Sequence, residues 1–277
     1  MTYAQFLIYF LCIPIVLLSL ATWRDGRNQL RSPEWLRSVP GWLAVAIHVA
    51  LAVLYTTPWD NYLVATGVWY YNPRLVTGLT LGWVPIEEYT FFILQTILSG
   101  LWLLWLSRRM PSKPPSPKQP IRMRKIATVG VGIIWLFCLG GFLSGWQPFT
   151  YLGLILVWAL PPVIVQMAFG ADILWQFRHL IGLVLGSVSV YLGVMDSLAI
   201  RTGTWTIDPA QSLNVFLGGV LPVEEFVFFL MTNMLITFGI TLLLSPEGRQ
   251  RWNELKAGWA QLRRPGRVVE QRPTHQA

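Results

Sequence analysis

The chain has 277 residues, of which 54% are hydrophobic and only 12% charged, with a mean hydropathy of +0.50. A soluble domain carries roughly a quarter charged residues, so the composition excludes an ordinary soluble protein. The formal net charge of +8 then bears on membrane topology rather than on nucleic acid.

Apolar runs long enough to cross a bilayer recur along the whole chain. Seven spans are predicted, at 3–22, 41–57, 78–106, 126–145, 149–170, 179–200 and 214–244. The first lacks the basic n-region of a cleaved signal and is expected to be a retained helix. Cys12 and Cys138 both fall inside apolar runs and are expected to be free thiols. The first connection holds Arg24, Arg27, Arg31 and Arg37; the third holds Arg108, Arg109, Lys113, Lys118, Arg122, Arg124 and Lys125. The fifth holds Arg178, and the tail beyond Leu244 is Arg-rich, whereas the alternate connections hold only Arg74 and Arg201. That bias places the C-terminus in the cytoplasm and the N-terminus outside a plasma membrane. In the tail, Trp252, Leu255, Trp259 and Leu262 recur at helical spacing among basic residues. The tail reads either as a cationic helix in the inner headgroup layer or as a disordered segment.

The expected fold class is an all-α integral membrane protein of seven transmembrane helices. Residues 1–106 form a first three-helix unit, 107–125 a basic Pro-rich linker, 126–145 a connecting helix, 146–244 a second three-helix unit, and 245–277 a cytoplasmic basic tail. An odd connector makes both units enter the membrane in the same sense, which predicts parallel rather than inverted repeats.

A sequence echo supports the two units. The stretch from Asp60 to Phe92 matches the stretch from Asp196 to Phe229 at Asp60/Asp196, Thr66/Thr202, Gly67/Gly203, Trp69/Trp205, Pro73/Pro209, Gly82/Gly219, Pro85/Pro222, Glu87/Glu224, Glu88/Glu225, Phe91/Phe228 and Phe92/Phe229. Shared apolar composition cannot produce matches that are mostly polar, aromatic, Gly and Pro.

The glutamate pairs carry the chemical signal. Counted from the predicted span starts, each pair sits nine to eleven residues into an apolar helix, where a charged carboxylate costs several kcal/mol. A carboxyl withdrawn from water holds its proton, as a general acid must. The competing reading is that the glutamates only bond neighbouring helices. Adjacent positions point about 100° apart, so one member of each pair can face a cavity while its neighbour plays a supporting part. Pro85 and Pro222 are expected to permit a kink just before each pair. Asp60 and Asp196 are expected at the outer ends of the second and sixth spans, orienting the glutamates or capping helices at the water interface. Trp69, Trp205, Trp59 and Trp83 are suited either to stabilising a cation or to an interfacial belt. Phe91, Phe92, Phe228 and Phe229 place rings beside the acids. His48, His179 and Asp172 have no metal-ligand spacing, and no metal or cofactor is expected. Neither a dinucleotide fingerprint nor a P-loop occurs. All four lysines lie outside the predicted spans, which excludes an intramembrane Schiff-base protein.

The paired Pro85–Glu88 and Pro222–Glu225, each preceded by Asp…Thr-Gly-x-Trp, resemble the motifs of the lycopene cyclase domain family over about residues 1–244. That family includes heterodimeric actinobacterial cyclases and fused archaeal, bacterial and fungal bifunctional forms. This chain resembles a fused form and is expected to lack a phytoene synthase domain. The resemblance implies a non-redox isomerisation of lycopene. A proton adds to the terminal double bond of a linear end group, the carbocation closes a six-membered ring, and a ring proton is lost to give β-rings. It implies a carotenoid substrate drawn from the bilayer, with membrane lipid around it and association with other carotenoid-biosynthetic enzymes. It carries the acid/base role onto Glu87, Glu88, Glu224 and Glu225, with Asp60, Asp196, Pro85 and Pro222 in support. Alternatives are a C50-carotenoid cyclase or carotenoid hydratase of the same family, or a proton-coupled transporter. Whether the two copies form one composite site or two is open at this point.

Overall fold

The computed structural model describes residues 1–110 and 121–262. Among them, seven helices are long and apolar enough to cross a membrane. They are α1 (Tyr3–Arg27), α2 (Gly41–Ala65), α3 (Ile86–Ser107), α4 (Ile121–Leu143), α5 (Thr150–Gln176), α6 (Arg178–Arg201) and α7 (Val223–Leu244), and α8 (Pro246–Leu262) follows. The chain is a multi-pass all-α membrane protein. A helix satisfies its own backbone, which hydrocarbon cannot do. Six short strands lie in the connections: β1 (Trp69–Tyr71), β2 (Thr80–Leu81), β3 (Val84–Pro85), β4 (Trp205–Ile207), β5 (Phe216–Leu217) and β6 (Leu221–Pro222).

The centre of the bundle is α3 and α7. The former packs on α1, α2, α6 and α7, and the latter on α2, α3, α5 and α6. Polar side chains join them: Gln95 Nε2 donates to Thr232 Oγ1 at 2.8 Å, and Ser99 Oγ to Asn233 Oδ1 at 2.7 Å. Asn233 Nδ2 then donates to Ser189 Oγ of α6 at 3.2 Å. Inside a bilayer, where lipid is as apolar as leucine, such bonds supply part of the association, about 0.6–2 kcal/mol each. In contrast, α4 buries little of itself and packs along α5 at the periphery.

The structure corrects three expectations. Helices α3 and α7 begin at Ile86 and Val223, not at 78 and 214. The preceding residues fold back as two hairpins, β2 with β3 and β5 with β6. Their turns hold Gly82 and Gly219 at φ +68° and +73°, a conformation no α-helix accommodates. Pro85 and Pro222 therefore do not kink a helix. They stand at the N-caps of α3 and α7, where a missing N–H leaves no helical bond unmade. Prolines inside the spans are Pro14, beside the π-helical turn Ile8–Cys12 of α1, Pro58 of α2, and Pro161 and Pro162 of α5.

The third correction concerns Asp60 and Asp196, which cap no helix, so the capping alternative falls and the orienting one stands. Both are buried within α2 and α6, which run on to Ala65 and Arg201. The repeated Thr-Gly is what ends these helices. Gly67 and Gly203 adopt φ +70° and +67°, and the next N–H groups, of Val68 and Thr204, bond back to the carbonyls of Leu63 and Ala199.

Helix α4 is already helical at Ile121, ahead of the expected 126. The expected linker and tail lie partly outside the described residues, at 111–120 and 263–277. The described part of the tail is helical. It is tied to α5 by Arg251, whose guanidinium meets Asp172 at 2.9 and 3.0 Å.

Candidate active site

The two glutamates of each pair meet different partners. Glu87 Oε1 accepts the backbone N–H of Thr77 at 2.6 Å, and Glu224 Oε1 accepts that of Leu213 at 2.6 Å and the Ser212 hydroxyl at 3.1 Å. These carboxyls pin the connecting loops to the first turns of α3 and α7. Rotated by one residue, Glu88 and Glu225 face a common chamber between the helices. Glu88 Oε2 accepts the hydroxyls of Tyr3 and of Tyr71, the latter at 3.0 Å. Glu225 Oε1 accepts the Tyr151 hydroxyl at 2.7 Å.

All four glutamates lie in the first turn of a helix. The positive end of the helix dipole there favours a carboxylate, by about 0.3–1 kcal/mol.

The chamber is about 30 Å³, room on the scale of a water or two. Its walls are aromatic: Tyr3, Trp69, Tyr71, Phe91, Trp205, Phe228 and Phe229, together with Asp196. Strands β1 and β4 bring the two tryptophans there, pairing antiparallel with Trp69 opposite Ile207 and Tyr71 opposite Trp205. Phe92 is buried against Tyr89 and Phe91 but does not line the chamber. Pro85 and Pro222 also lie outside the chamber lining. Trp83 is 68% exposed and takes no part, whereas Trp59 is buried and stacks on Phe228 at 5.7 Å.

Asp196 Oδ1 accepts the Trp205 indole N–H at 3.0 Å. Both oxygens of Asp60, and Trp69 Nε1, are buried without a hydrogen-bond partner among the described residues. Asp60 and Asp196 each lie within electrostatic range of both Glu88 and Glu225. The chamber thus gathers carboxyls from both halves into one cluster. Among the described residues, no group of three or more His, Cys, Asp or Glu is arranged to hold a metal ion.

The tyrosines escape a reading based on the Asp-to-Phe echo, because two of them lie in other helices. A signal for Tyr3 and Tyr151 does exist: each follows a threonine and precedes a proline by eleven residues, Pro14 and Pro162. Tyr3 is further placed by a capping box between Thr2 and Gln5. Tyr71 has no such signal, since isoleucine occupies the matching position, Ile207. The Tyr71 phenol lies in the connection outside the spans. Withdrawal from water, then the charges of Asp60 and Glu88, push its pKa well above the usual tyrosine range, so it serves as a donor.

Lycopene beta-cyclase of Halobacterium salinarum is 35% identical over 213 residues, which cover 77% of this chain and 87% of the relative. The chain belongs to the lycopene cyclase family. Other members are the bifunctional lycopene cyclase/phytoene synthases of Podospora anserina and Sporisorium reilianum, 35% and 37% identical over 214 and 195 residues. These matches cover 72% and 67% of this chain but only 35% and 28% of the fungal proteins. No family model matches the chain, and no solved structure does.

Proposed function

We propose that this lycopene cyclase works through one composite site in which Glu88 and Glu225 exchange protons with the substrate. The enzyme cyclises the linear end groups of lycopene. A carboxyl O–H protonates the terminal double bond, whose π electrons form the new C–H bond and leave a tertiary carbocation. A second double bond attacks that cation and closes the six-membered ring. A carboxylate then removes a ring proton, and the electrons of that C–H bond form the ring double bond of a β-end group. No electrons are gained or lost, and no co-reactant is needed.

The observation that carries this reading is the placing of Glu88 and Glu225, from different halves, against one aromatic chamber. Tyr3, Tyr71 and Tyr151 hold the two carboxyls in place. The rings of Trp69, Trp205 and Phe228 supply an electron-rich wall for the cation. Glu87 and Glu224 are positioning residues that hold the loops. Asp60 and Asp196 surround the acids with further carboxyls.

Residues 1–106 and 146–244 are two parallel repeats about an axis along the membrane normal. Supporting this, β1 pairs with its own counterpart β4, and Tyr3–Glu88 matches Tyr151–Glu225. The arginine bias supports an outer N-terminus and a cytoplasmic tail in the plasma membrane. The substrate arrives from the bilayer, and the fused fungal relatives support association with the enzymes that make it.

The test is expression in a lycopene-accumulating bacterium followed by pigment chromatography. β-carotene or its one-ring precursor is the expected product. Unchanged lycopene, with the protein present in the membrane, overturns the reading.

A further inference from the structure

The acid chamber is far too small for a terpenoid end group, so the substrate must reach it from somewhere larger. A cleft of about 230 Å³ opens between α2 and α5, with Leu51, Ala52 and Tyr55 on one side and Trp158 and Pro162 on the other. Leu51 and Tyr55 are 55% and 43% exposed on membrane-spanning α2, so the cleft faces lipid. At its inner end stands Phe228, which lines both this cleft and the acid chamber.

A run of near-parallel rings joins Tyr55 to Phe228; Tyr55, Trp158 and Phe228 line the cleft and Trp59 does not. Tyr55 stacks on Trp158 at 5.4 Å, Trp158 on Trp59 at 4.5 Å, and Trp59 on Phe228 at 5.7 Å, with interplanar angles of 21°, 19° and 7°. The Tyr55 hydroxyl also donates to the Trp158 carbonyl at 2.8 Å, tying α2 to α5 beside the cleft.

The opposite face provides an internal control. Tyr191, like Tyr55, lies five residues before the motif aspartate, and it donates to the Phe10 carbonyl at 2.9 Å. Phe10 and Trp158 each lie seven residues after a tyrosine that bonds a chamber glutamate, Tyr3 and Tyr151. A second cleft, between α1 and α6, is lined by Pro14, Ala21, Val188 and Tyr191 among others. None of its lining residues lines the chamber. The position corresponding to Trp59 is Met195, so the run of stacked rings has no counterpart there.

We propose that the cleft between α2 and α5 is the lateral entrance and binding groove for the polyene, with Phe228 as the partition that moves aside, and that both ends of the substrate pass through it in turn. The occupant is an unsaturated hydrocarbon chain from the bilayer. Phe228, shared by the walls of the groove and of the acid chamber, and the rings of Tyr55, Phe92 and Trp158 on the groove argue for it over a phospholipid acyl chain. This inference rests on the proposed cyclisation.

The test compares Ala52→Leu and Ala52→Trp, which fill this groove, with Ala21→Leu and Ala21→Trp, which fill the opposite one. Ring formation per unit of membrane protein is expected to fall by about tenfold or more in Ala52→Trp. Ala52→Leu should be intermediate, with one-ring and two-ring products reduced together. The Ala21 variants should stay within about twofold of the parent. Normal rates in Ala52→Trp, an equal loss in Ala21→Trp, or normal one-ring production in Ala52→Trp each overturn the proposal.

A labelling experiment covers a folding failure. Ala52→Cys and Ala21→Cys, each made with Cys12→Ala and Cys138→Ala, are treated in membranes with an apolar thiol reagent, with and without lycopene. Lycopene should slow labelling of the introduced thiol at position 52 and leave that at 21 unchanged. Equal effects at both, or none at 52, overturn the groove and leave it to lipid. A parent protein that forms no rings overturns the cyclisation instead, while lycopene-dependent protection still reports on the groove.

Discussion

Tyr151 donates its hydroxyl to Glu225 across 2.7 Å, joining α5 to α7, and Tyr3 does the same for Glu88 between α1 and α3. Each bond fixes a chamber carboxyl from a helix outside its own hairpin and helix unit. The Tyr151→Phe substitution keeps the buried ring and removes only the bond. Its kcat is expected to fall about tenfold while the protein still extracts and melts as the parent does. Measurement of ring formation and of Tm on the same detergent preparation checks this.

The two members of each glutamate pair should separate. Glu88→Gln and Glu225→Gln each remove a chamber carboxyl proposed to carry the proton and should lower the rate of both ring closures by about 10²–10⁴-fold. Glu87→Gln and Glu224→Gln keep an oxygen able to accept the loop N–H groups and should cost less than Glu87→Ala and Glu224→Ala. Pigment chromatography of the whole series decides it. A Glu88→Gln variant that accumulates one-ring carotenoid at the parent rate would show two independent sites.

Tyr71 should not set an alkaline limit. Withdrawal from water, reinforced by Asp60 and Glu88, raises its pKa well above the ordinary value of about 10. A raised tyrosine stays a neutral donor up to a still higher pH, so its bond to Glu88 persists where an exposed phenol begins to ionise. The ratio of Tyr71→Phe to parent rates should therefore be flat from about pH 6 to about pH 9. A ratio that climbs toward one in that range would show that Tyr71 ionises within it.

Asn233 is fully buried between Ser99 and Ser189 and holds three central helices together. Asn233→Leu removes both bonds and leaves a serine hydroxyl of α3 without its acceptor. The expected loss is about 1–3 kcal/mol, read as a lower Tm in detergent. Ser99→Ala together with Asn233→Leu should cost less than the sum of the two single variants, because the orphaned hydroxyl is then gone.

Much of this protein was legible in the residues alone. Seven apolar runs become seven spanning helices because hydrocarbon tolerates little else, and the echo of Asp, Trp and paired Glu marks the side chains that line or brace the chamber. The starts of α3 and α7 were not legible. A hairpin of apolar residues such as Thr80–Pro85 has the same hydropathy as a helix, and only its glycines at positive φ and its ladder bonds distinguish it.

Nor could composition show which glutamate of a pair faces inward. That depends on the rotation of α3 and α7 about their axes, set by what each first turn packs against. The tertiary structure also decided that the carboxyls of both halves share one chamber, and it supplied Tyr3, Tyr71 and Tyr151, which come to the acids from other segments of the chain. Sequence patterns report periodicity along one element. The partners of a buried carboxyl are chosen by elements that meet only after the bundle has closed.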